Sequence, residues 1–308
     1  MTFQTDKKRI AKLGAIAVIA LSALLFTATR VDAWGEAGHR MIGLAAAQAV
    51  PGDMPDFFKQ AAAQLAYLNP EPDRWRDRAE KDRDGALDGA TAADHFIDLE
   101  MIPADRLAGA LAAPNRFAYV DTLQALGLKA TTVGILPYRI IEMTQTLRIE
   151  WSLWRAAGDE ATKRMTEARI INEAGILGHY VADGSNPMHA SVHYNGWSGA
   201  NPNGYAVDKR MHGRFESAYV EAQLKVGDVS TLVPAVARVF PNLRSATIAY
   251  LHESNSLTEQ LYQIDKVAPF GAQTTAAENK TFTAGRLAAG AQMLRDLWYT
   301  AWITSKTP

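Results

Sequence analysis

The segment that most constrains the fold lies near the middle of the chain, at residues 174–182, AGILGHYVA. Its residues are apolar almost all round a helix, and a helix of this kind is stable only when it is buried among other elements. The same segment contains His179, and Asp183 follows four residues later. The chain must therefore build a helical bundle whose interior also accepts an imidazole and a carboxylate.

The rest of the chain predicts the bundle around this segment. Apolar residues recur at intervals of three and four residues, as in amphipathic helices, and no segment shows the strict alternation of a half-buried strand. The predicted helices cover residues 38–50, 55–68, 135–154, 169–183, 212–225, 250–264 and 283–302. Residues 82–93 and 195–209 are predicted to be loops. We therefore predict an all-α fold, with one helical domain over residues 34–308.

The N-terminal segment has the three-part pattern of a secretory signal peptide. Several basic residues precede an apolar run over 13–28, and Val31 and Ala33 occupy the small-residue positions that a signal peptidase recognises. Cleavage after Ala33 would make Trp34 the first residue of the mature chain. An uncleaved membrane anchor is the alternative, but the run is shorter than the roughly 20 residues that span a bilayer. We predict that residues 1–33 are a signal peptide and that the protein is exported, to the periplasm or out of the cell.

Composition excludes several kinds of site. Cysteine is absent, so any metal ion must be held by His, Asp, Glu, backbone groups or water. Residues 1–33 carry five Lys/Arg and two Asp/Glu, which leaves 27 basic and 31 acidic residues in the remaining chain, a net charge of about −4. This charge lacks the basic excess of a dedicated duplex-DNA binder. Neither GxSxG nor GxxxxGK[ST] occurs, so serine-hydrolase and P-loop chemistry have no local support.

Histidines paired with carboxylates carry the candidate chemistry. His179 and Asp183 are four residues apart, so on a helix they share one face and can bind one ion. His212 and Glu216 repeat this spacing, and His189 follows Asp183 across a loop that contains Gly and Pro. The same spacing also occurs where an exposed histidine and carboxylate only hydrogen-bond to each other. His179, however, lies in the apolar segment, where an unpartnered imidazole and carboxylate would be costly, and a bound metal ion would remove that cost.

Five motifs, in order along the chain, resemble the zinc-dependent superfamily that unites bacterial phospholipases C with the single-strand-specific nucleases of fungi and plants. The motifs are WGEAGH, PDRWR, HFID, GHYVADGSNPMH and HGRFE. The resemblance extends from Trp34 to about Glu216. It implies an all-α fold with three zinc ions in a cleft, and a phosphoric diester hydrolase that uses a metal-activated water.

The resemblance also implies a ligand for each predicted metal position. One zinc ion would be held by Asp73, His95, His179 and Asp183, a second by the backbone of Trp34 with His39 and Asp183, and a third by His189, His212 and Glu216. Asp183 would bridge the first two ions, and Asp73 would also orient the attacking hydroxide as a catalytic residue. The gap from Asp73 to His95 departs from the family's spacing, so Asp77 is the alternative ligand.

The motifs divide between the two branches of the superfamily. PMHAS and HGRFESAYVEAQL resemble the phospholipases, whose last zinc ligand is a glutamate, as Glu216 would be here. WGEAGH and HFID resemble the nucleases, but the nucleases' Arg-Gly-Gly-Asn segment is missing. The resemblance therefore favours phospholipid head groups as substrates, with transient contact with a membrane surface. Single-stranded nucleic acid or nucleotides are the alternative substrates, and a 3′-nucleotidase activity belongs to that alternative.

An aromatic loop and a non-catalytic alternative also have to be considered. Tyr194, Trp197 and Tyr205 lie in one long loop, where they would either form an aromatic rim for a lipid or pack the loop itself. A non-catalytic zinc-binding protein would use the same ligands with closed coordination and would hydrolyse no phosphodiester. His193, four residues after His189, would either support a ligand from behind or lie exposed to solvent. No obligate protein partner is predicted.

Overall fold

The computed structural model describes residues 34–306, and these residues form helices joined by loops, without a β-strand. The all-α prediction is therefore confirmed. The predicted signal peptide lies outside the described residues. The described residues belong to one compact unit. Within residues 34–306, no helix has both the length and the apolar composition needed to cross a membrane.

We number the α-helices in chain order. They are α1 (Gly35–Gln48), α2 (Asp56–Gln60), α3 (Ala62–Leu68), α4 (Glu71–Arg74), α5 (Arg78–Arg83), α6 (Ala86–Thr91), α7 (Ala104–Leu111), α8 (Arg116–Ala125), α9 (Ala130–Val133), α10 (Leu136–Ala156), α11 (Glu160–Ser185), α12 (Met211–Gly213), α13 (Val220–Gln223), α14 (Val226–Ser230), α15 (Leu243–Ser256), α16 (Thr258–Val267) and α17 (Ala277–Thr304). Short 3₁₀ turns cover Ala92–His95, Leu99–Met101 and Pro187–His189, and a π-helix covers Arg214–Tyr219.

Helix α11 is the central element of the bundle. The side chain of Asp159 caps its N-terminus by accepting a hydrogen bond from the backbone N–H of Thr162. Helices α1, α3, α10, α15 and α17 pack around it, and every residue from 174 to 185 is buried. The predicted buried helix is thus present, and its polar residues lie in the interior of the protein.

An aromatic cluster joins α2, α10 and α17 beside this helix. The rings of Trp151 and Trp302 lie 4.9 Å apart between centroids, and those of Phe58 and Trp298 lie 5.2 Å apart, both edge to face. Such pairs contribute about 0.5–1.5 kcal/mol each beyond the burial of their surface. The cluster stabilises the packing of α2, α10 and α17 against α11.

The structure corrects the predicted loop at residues 82–93. This stretch contains the end of α5, all of α6 and part of a 3₁₀ turn. Asp77 caps α5 through the backbone N–H of Glu80, and Lys81 pairs with Asp88 at 2.6 Å across the two short helices. These local contacts offset the glycines that suggested a loop. The predicted loop at 195–209 is present, without a helix.

Candidate metal centre

Buried histidine and carboxylate side chains converge into three groups where the helices meet. In each group, one potential ligand atom per residue lies within 4.8 Å of the others. The groups are His39, His179 and Asp183; Asp73, His95 and His179; and His189, His212 and Glu216. The structure therefore brings together all eight side chains that the sequence predicted as metal ligands. Asp77, the alternative to Asp73, is outside the three groups and caps α5.

The eight side chains come from seven elements of the structure. His39 lies in α1, Asp73 in α4, His95 at the end of a 3₁₀ turn, His179 and Asp183 in α11, His189 at the end of another 3₁₀ turn, His212 in α12 and Glu216 in the π-helix. The two 3₁₀ turns hold each other, because Ile97 N–H donates to the His189 carbonyl at 2.8 Å and His189 Nδ1 lies 2.7 Å from the His95 carbonyl. The π-helix widens the turn after His212, a local feature that is frequent at functional sites.

Asp183 lies between the first two groups. Its Oδ2 atom is 3.1 Å from His95 Nδ1 and 3.3 Å from His179 Nε2. Its Oδ1 atom is 3.6 Å from His39 Nε2. Each carboxylate oxygen thus faces a different set of imidazoles, which is the geometry that a bridging carboxylate requires.

Asp73 also lies close to histidines of the first two groups. Its Oδ1 atom is 3.8 Å from His179 Nε2, and its Oδ2 atom is 3.9 Å from His39 Nε2. Arg76 Nη1 lies 3.9 Å from Asp73 Oδ1, and this guanidinium is partly exposed. Asp73 is therefore the carboxylate of the cluster that has a positive charge beside it at the protein surface.

Four of the imidazoles are oriented by oxygen atoms behind them. The Nδ1 atoms lie 2.7–3.0 Å from these acceptors: His39 from Asn69 Oδ1, His179 from the Asn69 carbonyl, His189 from the His95 carbonyl and His212 from the Tyr194 carbonyl. A carbonyl oxygen only accepts hydrogen bonds, so each facing Nδ1 carries the proton, and a neutral ring keeps its lone pair on Nε2. Metal-ligating histidines in proteins are oriented in the same way.

The atoms that face inward fit a metal ion. Within residues 34–306, His39 Nε2, His189 Nε2 and Asp183 Oδ1 are buried and have no hydrogen-bond partner. Buried polar atoms without partners are costly, and lone pairs of imidazole and carboxylate that face one another repel. A cation bound among them would satisfy both kinds of atom, so the donor set suits a metal that prefers nitrogen and oxygen ligands.

The pKa values of His39, His179 and Asp183 agree with this geometry. Burial lowers the pKa of His179 to about 3 and also lowers the pKa of His39. Burial raises the pKa of Asp183, but the imidazoles of His179 and His189 outweigh it and hold this pKa well below its usual range. Burial likewise lowers the pKa of His189, but Asp183 and Glu216 outweigh it and raise this pKa to about 9. At neutral pH two imidazoles are neutral and Asp183 is ionised, the forms in which these groups bind metals.

Trp34 lies against the third group. Its backbone N–H donates to Glu216 Oε2 at 3.1 Å, and its buried indole donates to the Ala182 carbonyl at 2.8 Å and to Ser185 Oγ at 3.0 Å. The backbone of Trp34, predicted as a ligand beside His39, is thus anchored to Glu216.

The aromatic loop is mostly packed rather than open. The ring of Trp197 stacks on His193 with 3.8 Å between centroids, which gives His193 a packing role. Tyr205 is buried, and its hydroxyl donates to Glu259 at 2.8 Å. Tyr194 is 51 % exposed, and its carbonyl orients His212. Of the predicted aromatic rim, Tyr194 is the residue that presents most of its ring to solvent.

Two asparagines of the site were not predicted from the sequence. Asn69 contacts both His39 and His179, and Asn186 Nδ2 donates to Glu216 Oε2 at 3.0 Å. Asn186 directly follows α11 within the motif GHYVADGSNPMH, a position from which its role could have been inferred. Asn69 stands outside every quoted motif, and no spacing marks it.

No family model, curated protein or solved structure matches this chain. The function must therefore be inferred from the geometry and chemistry of the three buried groups, each of which could hold a metal ion.

Proposed function

We propose that the protein is an exported zinc-dependent phosphodiesterase with phospholipase C-like activity. The observation that carries this proposal is the junction of the three ligand groups around Asp183, whose two oxygens face different imidazoles. A single structural metal site would need only about four ligands. Eight buried ligand side chains in adjoining groups suit several ions placed close together, an arrangement that phosphodiester hydrolysis uses.

Zinc is the metal that the donor set favours. The ligands are imidazoles and carboxylates without thiolates, and imidazole suits zinc better than it suits magnesium or calcium. We assign Asp73, His95, His179 and Asp183 to the first ion. The second takes Asp183, His39 and the backbone of Trp34, and the third takes His189, His212 and Glu216. Trp34 also contacts the third group, since its backbone N–H donates to Glu216 Oε2.

The chain's own residues position the substrate and the attacking water. When bound, neighbouring zinc ions would lower the pKa of a water and offset charge on the transferring phosphoryl group. Asp73 is 8 % exposed, whereas Asp183 is fully enclosed, so Asp73 is the carboxylate placed to orient a water that enters from solvent. Arg76, beside Asp73, offers a guanidinium to the phosphate oxygens.

Phospholipid head groups are the substrates we favour. The chain from Trp34 onward is slightly acidic, whereas a nuclease gains affinity from basic surface. The ring of Tyr194 is exposed, and its carbonyl orients His212, so an apolar contact is available next to the third group. This arrangement suits an enzyme that meets a lipid surface and admits one head group to the cluster.

A single-strand-specific nuclease is the second candidate, and one observation favours it. Tyr67 is 52 % exposed, with the guanidinium groups of Arg74 and Arg40 at 4.5 and 5.2 Å from its ring centroid. Exposed aromatic rings next to cations are typical of proteins that stack bases and follow a phosphate backbone. Arg40 and Arg74 each follow a predicted ligand directly, His39 and Asp73, so this platform is close to the cluster.

The test compares both substrates under the same conditions. The zinc-loaded protein would be given short-chain phosphatidylcholine and denatured DNA at one pH, with kcat/KM measured for each. We expect a higher value for phosphocholine release, and loss of both activities on adding a chelator. A far higher value for nucleotide release would support the nuclease instead. Stoichiometric zinc with turnover of neither substrate would indicate a non-catalytic zinc protein.

A further inference from the structure

Asn69 connects the first two ligand groups from behind. It follows α3, is fully buried, and lies between α1 and α11. Its side-chain Oδ1 is 3.0 Å from His39 Nδ1, and its backbone carbonyl is 3.0 Å from His179 Nδ1. One residue therefore contacts the rear of two imidazoles that come from different helices.

The surroundings of Asn69 leave its side chain little freedom. Gly43 of α1 and Gly178 of α11 both face it, and a Cβ added to Gly178 would lie 2.3 Å from Asn69 Nδ2. A Cβ added to Gly43 would lie 3.1 Å from the same atom. Both helices thus approach Asn69 at positions without a side chain, and this close packing leaves the side chain little room to rotate.

The two imidazoles that Asn69 contacts also contact each other. The rings of His39 and His179 stack with 4.1 Å between centroids and 13° between planes. Their Nε2 atoms both face Asp183, at 3.6 and 3.3 Å. An acceptor behind each ring keeps the proton on Nδ1 and the lone pair on Nε2, so both rings present a ligand atom to the same carboxylate.

We propose that Asn69 is a positioning residue that sets the tautomer and the orientation of His39 through its side chain and of His179 through its backbone. The inference rests on the proposed metal-binding function for its consequence, and on the geometry of Asn69 alone for the tautomers. Replacing the side chain changes only the contact with His39, because any residue at position 69 keeps the carbonyl that faces His179. In such a variant, the unchanged contact with His179 therefore serves as an internal control.

The test begins with the unaltered protein. Nitrogen-15 NMR of the histidines, recorded on chelator-treated protein, reports which ring nitrogen carries the proton. We expect the neutral Nδ1–H tautomer for His39 and His179. An Nε2–H tautomer for His39 would overturn the proposal. This measurement needs no zinc, so a failure to bind zinc would refute the proposed function without deciding the role of Asn69.

Two variants then test the consequence for metal binding. Asn69→Leu, of similar size but without an acceptor, should remove the Nδ1–H preference of His39 and leave that of His179. It should weaken one zinc equivalent by about 10–100-fold, the usual effect of losing an outer partner of a ligand. Asn69→Asp keeps an acceptor oxygen and should restore both properties. If Asn69→Leu folds and keeps the His39 tautomer and all zinc affinities, the proposal is wrong; if it does not fold, the NMR measurement on the unaltered protein decides.

Discussion

Replacing Asp183 by asparagine should disturb two zinc sites at once. The carboxylate is fully buried, and its oxygens lie within 3.1–3.8 Å of imidazole nitrogens of His95, His179, His39 and His189. An ion bound between Asp183 and any of these rings lies within about 4 Å of the negative charge. At an effective dielectric constant of about 20, a unit charge at that distance contributes about 4 kcal/mol for each positive charge.

The expected loss follows from this figure. Asparagine keeps the shape and one oxygen ligand but removes the charge that offsets two dications. For a dication the full loss would be about 8 kcal/mol, and even half of it, about 4 kcal/mol per ion, corresponds to roughly a thousandfold weaker binding. We therefore expect Asp183→Asn to retain about one of three zinc equivalents after dialysis against a weak chelator.

The matched control is Glu216→Gln, which removes a buried charge of the same sign from the third group. Glu216 lies 2.7 Å from His212 and 3.8 Å from His189, so this variant should lose one zinc equivalent. Elemental analysis and competition with a chromophoric chelator would measure both variants, and circular dichroism would verify their helical content. Equal zinc loss in the two variants would refute the bridging assignment of Asp183.

Three further predictions address other parts of the molecule. Adding Met-Gly before Trp34 converts its free amine into an amide, so activity and zinc content should both fall. An extended protein that is equally active would contradict the assignment of Trp34 as a ligand. Because the pKa of His189 is about 9 without metal, zinc must displace the proton of this ring at pH 7, and zinc affinity for the third site should rise about tenfold from pH 7 to 8. Calorimetry in buffers of different ionisation enthalpy should detect the released proton. A pH-independent affinity would argue against His189 as a ligand. Gly178→Ala should lower the free energy of unfolding by about 1–3 kcal/mol, because its Cβ would collide with Asn69. Gly109→Ala, in a helix with open space around it, should instead raise that free energy by up to about 1 kcal/mol, and equal thermal shifts of the two glycine variants would contradict the packing.

Sequence periodicity predicted the parts of the site that lie within one helix. His179 and Asp183 share a face because they are four residues apart, and the apolar residues around them predicted their burial. His212 and Glu216 were paired by the same spacing, although the π-helix between them was not predicted. Helical periodicity averages over several turns, so it does not detect one widened turn.

Contacts between distant segments were beyond this kind of reasoning. Asn69 acts through packing against two glycines and through two ring nitrogens, and none of these contacts is local in sequence. Asp73 was preferred to Asp77 only by its motif, whereas the structure separates them, since Asp77 caps α5. The short helices within residues 78–91 were missed because capping and ion pairs, rather than periodicity, stabilise them.

The metal content of the purified protein that begins at Trp34 tests the central claim most directly. After expression with zinc and removal of loosely bound metal, elemental analysis would give the number of zinc ions per chain. We expect three, with each of the three ligand groups occupied. A protein that folds normally and holds no zinc, or only one ion, would contradict it.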